Sequence, residues 1–131
     1  MIARTLERVV LGASALVLVV VGAASAFAPA AFYAGYGIQV VGSPALANEL
    51  RAAGFALLLL GIAVAAGAIR RRWVFPSAVI AALVLVGYAV GRFISAIADG
   101  APDASLAFAG AVELVLGVAA GWVAIRSRPR S

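Results

Sequence analysis

The feature that most restricts this chain is the alternation of four long apolar runs with short segments that hold almost every charge. Val9 to Ala28, Ala52 to Ile69, Val74 to Val90 (continuing past Arg92 to Ala98) and Ala104 to Ile125 each approach the ~20 residues that cross a hydrocarbon core of ~30 Å. Of 131 residues, 66% are hydrophobic and 11% charged, so no soluble domain fits between the runs, whose longest connection extends only from Pro29 to about Asn48. Function must reside in or at the bilayer.

A spanning segment has to satisfy its backbone hydrogen bonds internally, and these runs are too long and too little alternating for barrel strands. The expected fold is all-α: one integral membrane domain over residues 1–131, an antiparallel four-helix bundle with helices at about 6–28, 44–69, 74–99 and 104–125. Arginine placement orients it. Arg4 and Arg8 precede the first helix, Arg70, Arg71 and Arg72 join the second to the third, and Arg126, Arg128 and Arg130 follow the fourth. All three clusters lie on one side only if both termini are cytoplasmic, in the inner or plasma membrane. Trp73 and Trp122 then fall at the cytoplasmic interface, with Phe32, Tyr33 and Tyr36 at the outer one, where amphipathic rings prefer to sit. Met1 to Ala28 also has features of a signal peptide. Its apolar run of about twenty residues exceeds the usual 7–15-residue signal core, however, and Glu7 is out of place in a basic leader, so a retained helix is expected.

Turn chemistry sets the helix ends. Ser43-Pro44 reads as an N-cap followed by proline in the first turn, Asp99-Gly100 as the close of the third helix on a left-handed glycine, and Pro102-Asp103 as the capped start of the fourth. Pro76 falls in the first turn of the third helix, where its missing N–H does no harm.

The net charge of +5 is explained by topology, so no nucleic-acid partner is expected; membrane lipids are. Ten arginines and no lysine suggest a GC-rich bacterial genome. With neither cysteine nor histidine, the chain has no disulfide, thiolate or imidazole metal site, histidine-ligated haem, or His or Cys catalytic dyad. No cofactor is expected, and no phosphate loop or nucleophile with an attendant base is visible.

The remaining charges lie inside the apolar runs. Counting ~1.5 Å per residue, Arg92 is roughly 10 to 12 Å in from Gly100, and Glu113 roughly 15 Å in from Asp103. Either charge alone costs ~2.5–3.5 kcal/mol at a helix centre, so pairing or a wet cavity is expected. Glu113 shares a helix face with Ala109, Gly110, Gly117, Ala120 and Gly121, a small-residue surface that admits another helix. Arg92 shares one with Tyr88, Ala89, Ser95, Ala96 and Asp99. Tyr88 and Ser95 are thus expected as hydrogen-bond partners of the pair, with Asp99 nearer to water. On the second helix, Asn48 and Arg51 align with Gly54, Leu58, Gly61 and Ala65, while Glu49 lies about 160° from Arg51. The expected polar site occupies the outer half of the bundle, with Arg92 and Glu113 central, Asn48 and Arg51 contributing, and Glu49 and Asp99 at its margin. The glycine pairs Gly87/Gly91 and Gly117/Gly121 are expected to pack helices within the bundle.

The string Asn48-Glu49-Leu50-Arg51-Ala52-Ala53-Gly54, Gly91-Arg92 with Ser95 and Asp99-Gly100-Ala101-Pro102, and Glu113-Leu114 resemble a family of small bacterial four-helix membrane proteins. That family is known as a domain of unknown function and looks related to the DoxX-like membrane proteins. The resemblance covers nearly the whole chain, implies a four-helix membrane bundle, is consistent with the outer polar network and supplies no established activity. Two roles fit. One is a small binding or transport module for a small molecule, ion or lipid, with Arg51 and Arg92 attracting an anionic group. The other is a structural or accessory subunit of a membrane complex, redox complexes included, in which the charges only lock the helices. A second copy of the chain or another membrane protein remains open as a partner. An enzyme using Glu113 as general acid or base is not expected, because nothing else completes a site.

Overall fold

A computed structural model describes residues 2–129; Met1 and Arg130 of the sequence reading lie outside the described residues. The described residues contain helices α1 (Ile2–Phe27), α2 (Pro29–Ala34), α3 (Pro44–Ile69), a 3-10 turn (Arg71–Trp73), α4 (Val74–Ala98) and α5 (Ala104–Arg126), and no strand. Four of the helical segments are long and apolar enough to cross a membrane, as in a multi-pass membrane protein. Their outer surfaces agree: Leu16, Leu83, Ile97 and Phe108 are all exposed, an arrangement suited to lipid rather than water.

Each long helix buries one stripe at three- and four-residue spacing. The stripes run through Leu11, Ser14, Leu18, Gly22 and Ser25 on α1; Gly54, Leu57, Gly61, Val64 and Gly67 on α3; Ser77, Ala81, Leu85 and Ala89 on α4; and Glu113, Gly117, Ala120 and Val123 on α5. Without a hydrophobic drive between helices in lipid, close van der Waals approach has to hold them, and glycine permits it. A Cβ on Gly22 would lie 2.5 Å from the Leu58 nitrogen, one on Gly54 2.5 Å from the Ala26 nitrogen, and one on Gly61 2.8 Å from the Val19 nitrogen. The α1 and α3 backbones are therefore in direct contact. Gly117 plays the same part for α5 against Val86 of α4, at 2.9 Å from its nitrogen. Two tight pairs result, α1 with α3 and α4 with α5, joined chiefly through α3 and α4. Ser77 helps that junction by donating to the Ala63 carbonyl (2.9 Å) beside Gly67.

The helix ends follow local chemistry. Ser43 Oγ accepts from the Leu46 N–H and Asp103 Oδ1 from the Leu106 N–H, capping α3 and α5. Asp99 closes α4, and Gly100 turns the chain with φ +109°. The connection after α1 is not the plain loop of the sequence reading. Pro29 starts α2, whose Tyr33 hydroxyl lies 3.1 Å from Ser25 Oγ, while Ser25 also donates to the Leu50 carbonyl (2.8 Å). Phe32 stacks edge-on with Tyr33 and Tyr36, forming an aromatic cluster just past the end of α1.

Candidate functional site

Arg92 of α4 and Glu113 of α5 meet in a forked ion pair. Nε donates to Oε2 at 2.7 Å and Nη2 to Oε1 at 2.9 Å. Two parallel charge-assisted bonds fix the guanidinium plane as well as its charge. The sequence places them at matching depth, and the α4–α5 packing brings them together: Gly117 lets α5 approach, and Gly110 leaves room for the arginine stem, a Cβ there lying 3.3 Å from Arg92 Cδ. Among the described residues this is the only salt bridge, and its side chains are 31% and 12% exposed. Arg92 is thus the accessible partner and Glu113 the enclosed one.

The accessible side of Arg92 faces a groove of about 740 Å³ between α3 and α4. Ala53, Ala56, Leu57 and Leu60 form one wall, Val84, Gly87, Tyr88 and Gly91 the other, and Tyr33 of α2, Arg92 and Ser95 its polar end. Gly87 and Gly91 give the groove its width. A Cβ on either would meet no atom within 4 Å, so these glycines do not pack helices as expected. They look into open space because α3 and α4 touch mainly nearer the other end, around Ser77 and Gly67. A second, smaller hollow of about 380 Å³, also lined by Arg92, lies between the C-terminal part of α4 and the N-terminal part of α5.

The other sequence-derived candidates divide. Tyr88 lines the groove beside Arg92 but makes no hydrogen bond to the pair. Ser95 lines it too, yet its hydroxyl donates to Asp99 one turn on in its own helix (2.8 Å), not to Glu113. Arg51 is drawn off to the Ala26 carbonyl, to which its Nη1 donates at 2.8 Å, and is absent from the groove lining. Asn48 and Glu49 are exposed and unpartnered among the described residues, away from the groove. The reason is register. The buried stripe of α3 passes through Leu57 and Val64 rather than Leu58 and Ala65, which carries Asn48 off the seam. Tyr33 and the open glycines were not placed at the site from sequence. Their only sequence signal is that Gly87, Tyr88, Gly91, Arg92 and Ser95 share a side of one helix, which cannot distinguish a packed glycine from an open one.

Outside the spans, Asp103 is held below the usual carboxylate range by hydrogen bonds from the Ser105 hydroxyl and the Leu106 N–H. Both bonds favour its ionised form, and its role is that of a cap.

Compared with known proteins, the chain belongs to the family described as Domain of unknown function (DUF4345), which it matches over residues 6–124. No curated protein and no solved structure matches it.

Proposed function

We propose that this DUF4345 protein is an antiparallel four-helix bundle of the inner or plasma membrane, with both termini cytoplasmic. In this reading it is a noncatalytic binder of a lipophilic small molecule, which it holds in the groove between α3 and α4. The order of contacts supports the arrangement: Gly22 meets Leu58, Gly61 meets Val19 and Gly67 meets Leu11, so α3 ascends as α1 descends, and Gly110 and Gly117 meet Arg92 and Val86 in the same sense. The arginine clusters at one end support the orientation.

The groove carries the binding reading. Its volume lies within the ~300–1,000 Å³ of small-molecule sites, and its wall is apolar with polar groups gathered at one end, the form such sites take. The charge of Arg92 is already balanced by Glu113, and Arg51 is engaged elsewhere. The head this end favours is therefore a neutral hydrogen-bonding group such as an ester, ketone or hydroxyl, presented to the phenol of Tyr88 and the unengaged Nη1 of Arg92. A full anion would have to compete with the Glu113 carboxylate for the same guanidinium.

The thermal midpoint of the detergent-solubilised chain with methyl oleate and with oleate tests this, in wild type and in Gly91→Leu, which adds bulk to the groove at a position where a Cβ meets no atom within 4 Å. A rise with the ester, smaller with the acid and absent in Gly91→Leu, is expected; saturation a hundredfold above Kd would contribute about 2.7 kcal/mol. Equal effects in wild type and variant would refute it. A second reading rests on the same open glycines. Gly87 and Gly91, one turn apart and uncovered, suit the ridge of a helix from another membrane protein, as in an accessory subunit. A relation of the family to the DoxX-like membrane proteins, some of them associated with redox complexes, would fit that role; without cysteine or histidine the contribution would be noncovalent.

A further inference from the structure

The arginine-rich end of the bundle holds a separate concavity. Arg4, Glu7 and Arg8 of α1, Gly67 and Ile69 at the close of α3, Arg71 of the 3-10 turn and Val74 of α4 enclose about 150 Å³. A topology signal accounts for arginines on this side, but it does not require guanidinium groups from two elements to line one hollow. Four arginines have protein partners: Arg72 and Arg126 lie over the rings of Trp73 and Trp122, at 5.7 and 4.9 Å, and Arg51 and Arg92 donate to protein oxygens. Arg4, Arg8 and Arg71, like Arg70 and Arg128, have no such partner among the described residues, but only Arg4, Arg8 and Arg71 line the hollow together, where Glu7 joins them without closing an ion pair.

This arrangement is electrostatically open. Arg4 and Arg8 stand one turn apart on one helix face, where like charges repel, and Arg4 lies in the first turn of α1, where the helix dipole disfavours cations. Glu7 offsets one of the three charges, leaving a net excess of two in a space that fits a small anion. Guanidinium forks match phosphate oxygens in geometry as well as charge.

We propose that this hollow binds the phosphate of an anionic membrane lipid. The lipid source follows from the surroundings: Gly67 and Val74 give the hollow an apolar lining, Ile69 at its edge is 72% exposed, and Trp73, next to Val74 in the chain, is 44% exposed. A phosphate seated on the arginines has an apolar helix surface at hand for its acyl chains, and the indole marks the headgroup level.

The test uses the full chain in dodecyl maltoside at constant ionic strength, with the thermal midpoint titrated by dioleoylphosphatidylglycerol, dioleoylphosphatidylcholine or inorganic phosphate. Wild type is compared with Arg8→Gln/Arg71→Gln and with Arg70→Gln/Arg128→Gln, which removes the same charge outside the hollow. The anionic lipid is expected to raise the wild-type midpoint at concentrations where the other two additives do not. The Arg8/Arg71 variant is expected to need about tenfold more lipid, equivalent to about 1.4 kcal/mol, and the Arg70/Arg128 variant to behave as wild type. Should the glutamine variant fail to fold, Arg8→Lys/Arg71→Lys keeps the charge but not the forks and is still expected to bind more weakly. Equal weakening in both glutamine variants would overturn the site in favour of diffuse attraction, an equal effect of inorganic phosphate would overturn the lipid, and an unmoved wild type would overturn both.

Discussion

Removing either member of the Arg92–Glu113 pair should have unequal consequences. In Arg92→Gln, the Glu113 carboxylate is left about 15 Å along α5 from Asp103, on a short stem and with its side chain only 12% exposed. It cannot reach water, so the cost approaches the ~3–5 kcal/mol of an orphaned buried charge. In Glu113→Gln, the guanidinium that remains is 31% exposed and lies six residues, about 9 Å of rise, before the end of α4. Its long stem can lift the charge towards that end, and the glutamine oxygen still accepts one bond, so the loss is nearer the ~1.5–3 kcal/mol of hydrogen bonds to charged groups. The double variant leaves no charge to bury and should return to within about 1 kcal/mol of wild type, a coupling of roughly 3.5–8 kcal/mol. Reversible unfolding in mixed micelles, driven by dodecyl sulfate mole fraction and followed by far-ultraviolet circular dichroism, measures all four. If Arg92→Gln costs no more than Glu113→Gln, or the two costs add to within about 0.5 kcal/mol, the enclosure argument fails.

Other substitutions probe the scaffold. Gly54→Ala puts a methyl 2.5 Å from the Ala26 nitrogen, where only backbone can yield, and should cost ~1–3 kcal/mol or more in the same unfolding assay. Gly87→Ala meets nothing and should leave stability unchanged or raised by up to about 1 kcal/mol through helix propensity; equal losses at the two sites would contradict the packing described. Ser14 is fully buried and its hydroxyl has no partner, so Ser14→Ala should stabilise the fold by about 1 kcal/mol, and a fall in midpoint would show that the hydroxyl is satisfied. Asp103 has a lowered folded-state pKa, so its capping contribution is complete above the ordinary aspartate value of about 3.9 and lost as pH falls through the folded value. Asp103→Ala should therefore narrow its stability gap to wild type on acidification, as thermal midpoints at pH 7 and pH 3 would reveal.

Four long apolar helices and their caps were legible in the chain itself, because these depend on local quantities: run length against bilayer thickness, Ser43 and Asp103 at helix starts, and Gly100 at a left-handed turn. The inward direction of Glu113 was legible for the same reason, since Gly117 and Ala120 mark its face. What only the tertiary structure decided was which faces meet and which stay apart. Gly54 and Gly87 are the same residue in similar apolar sequence, yet one touches a neighbouring backbone and the other opens a groove. Arg51 and Arg92 are both arginines in apolar helices, yet one is tied to the Ala26 carbonyl and the other bridges α4 and α5 at the groove's polar end. In lipid, apolar side chains gain little by facing one another rather than the solvent, so hydrophobic pattern does not select the contact surface. Close packing and hydrogen bonding select it, and both are properties of two helices at once.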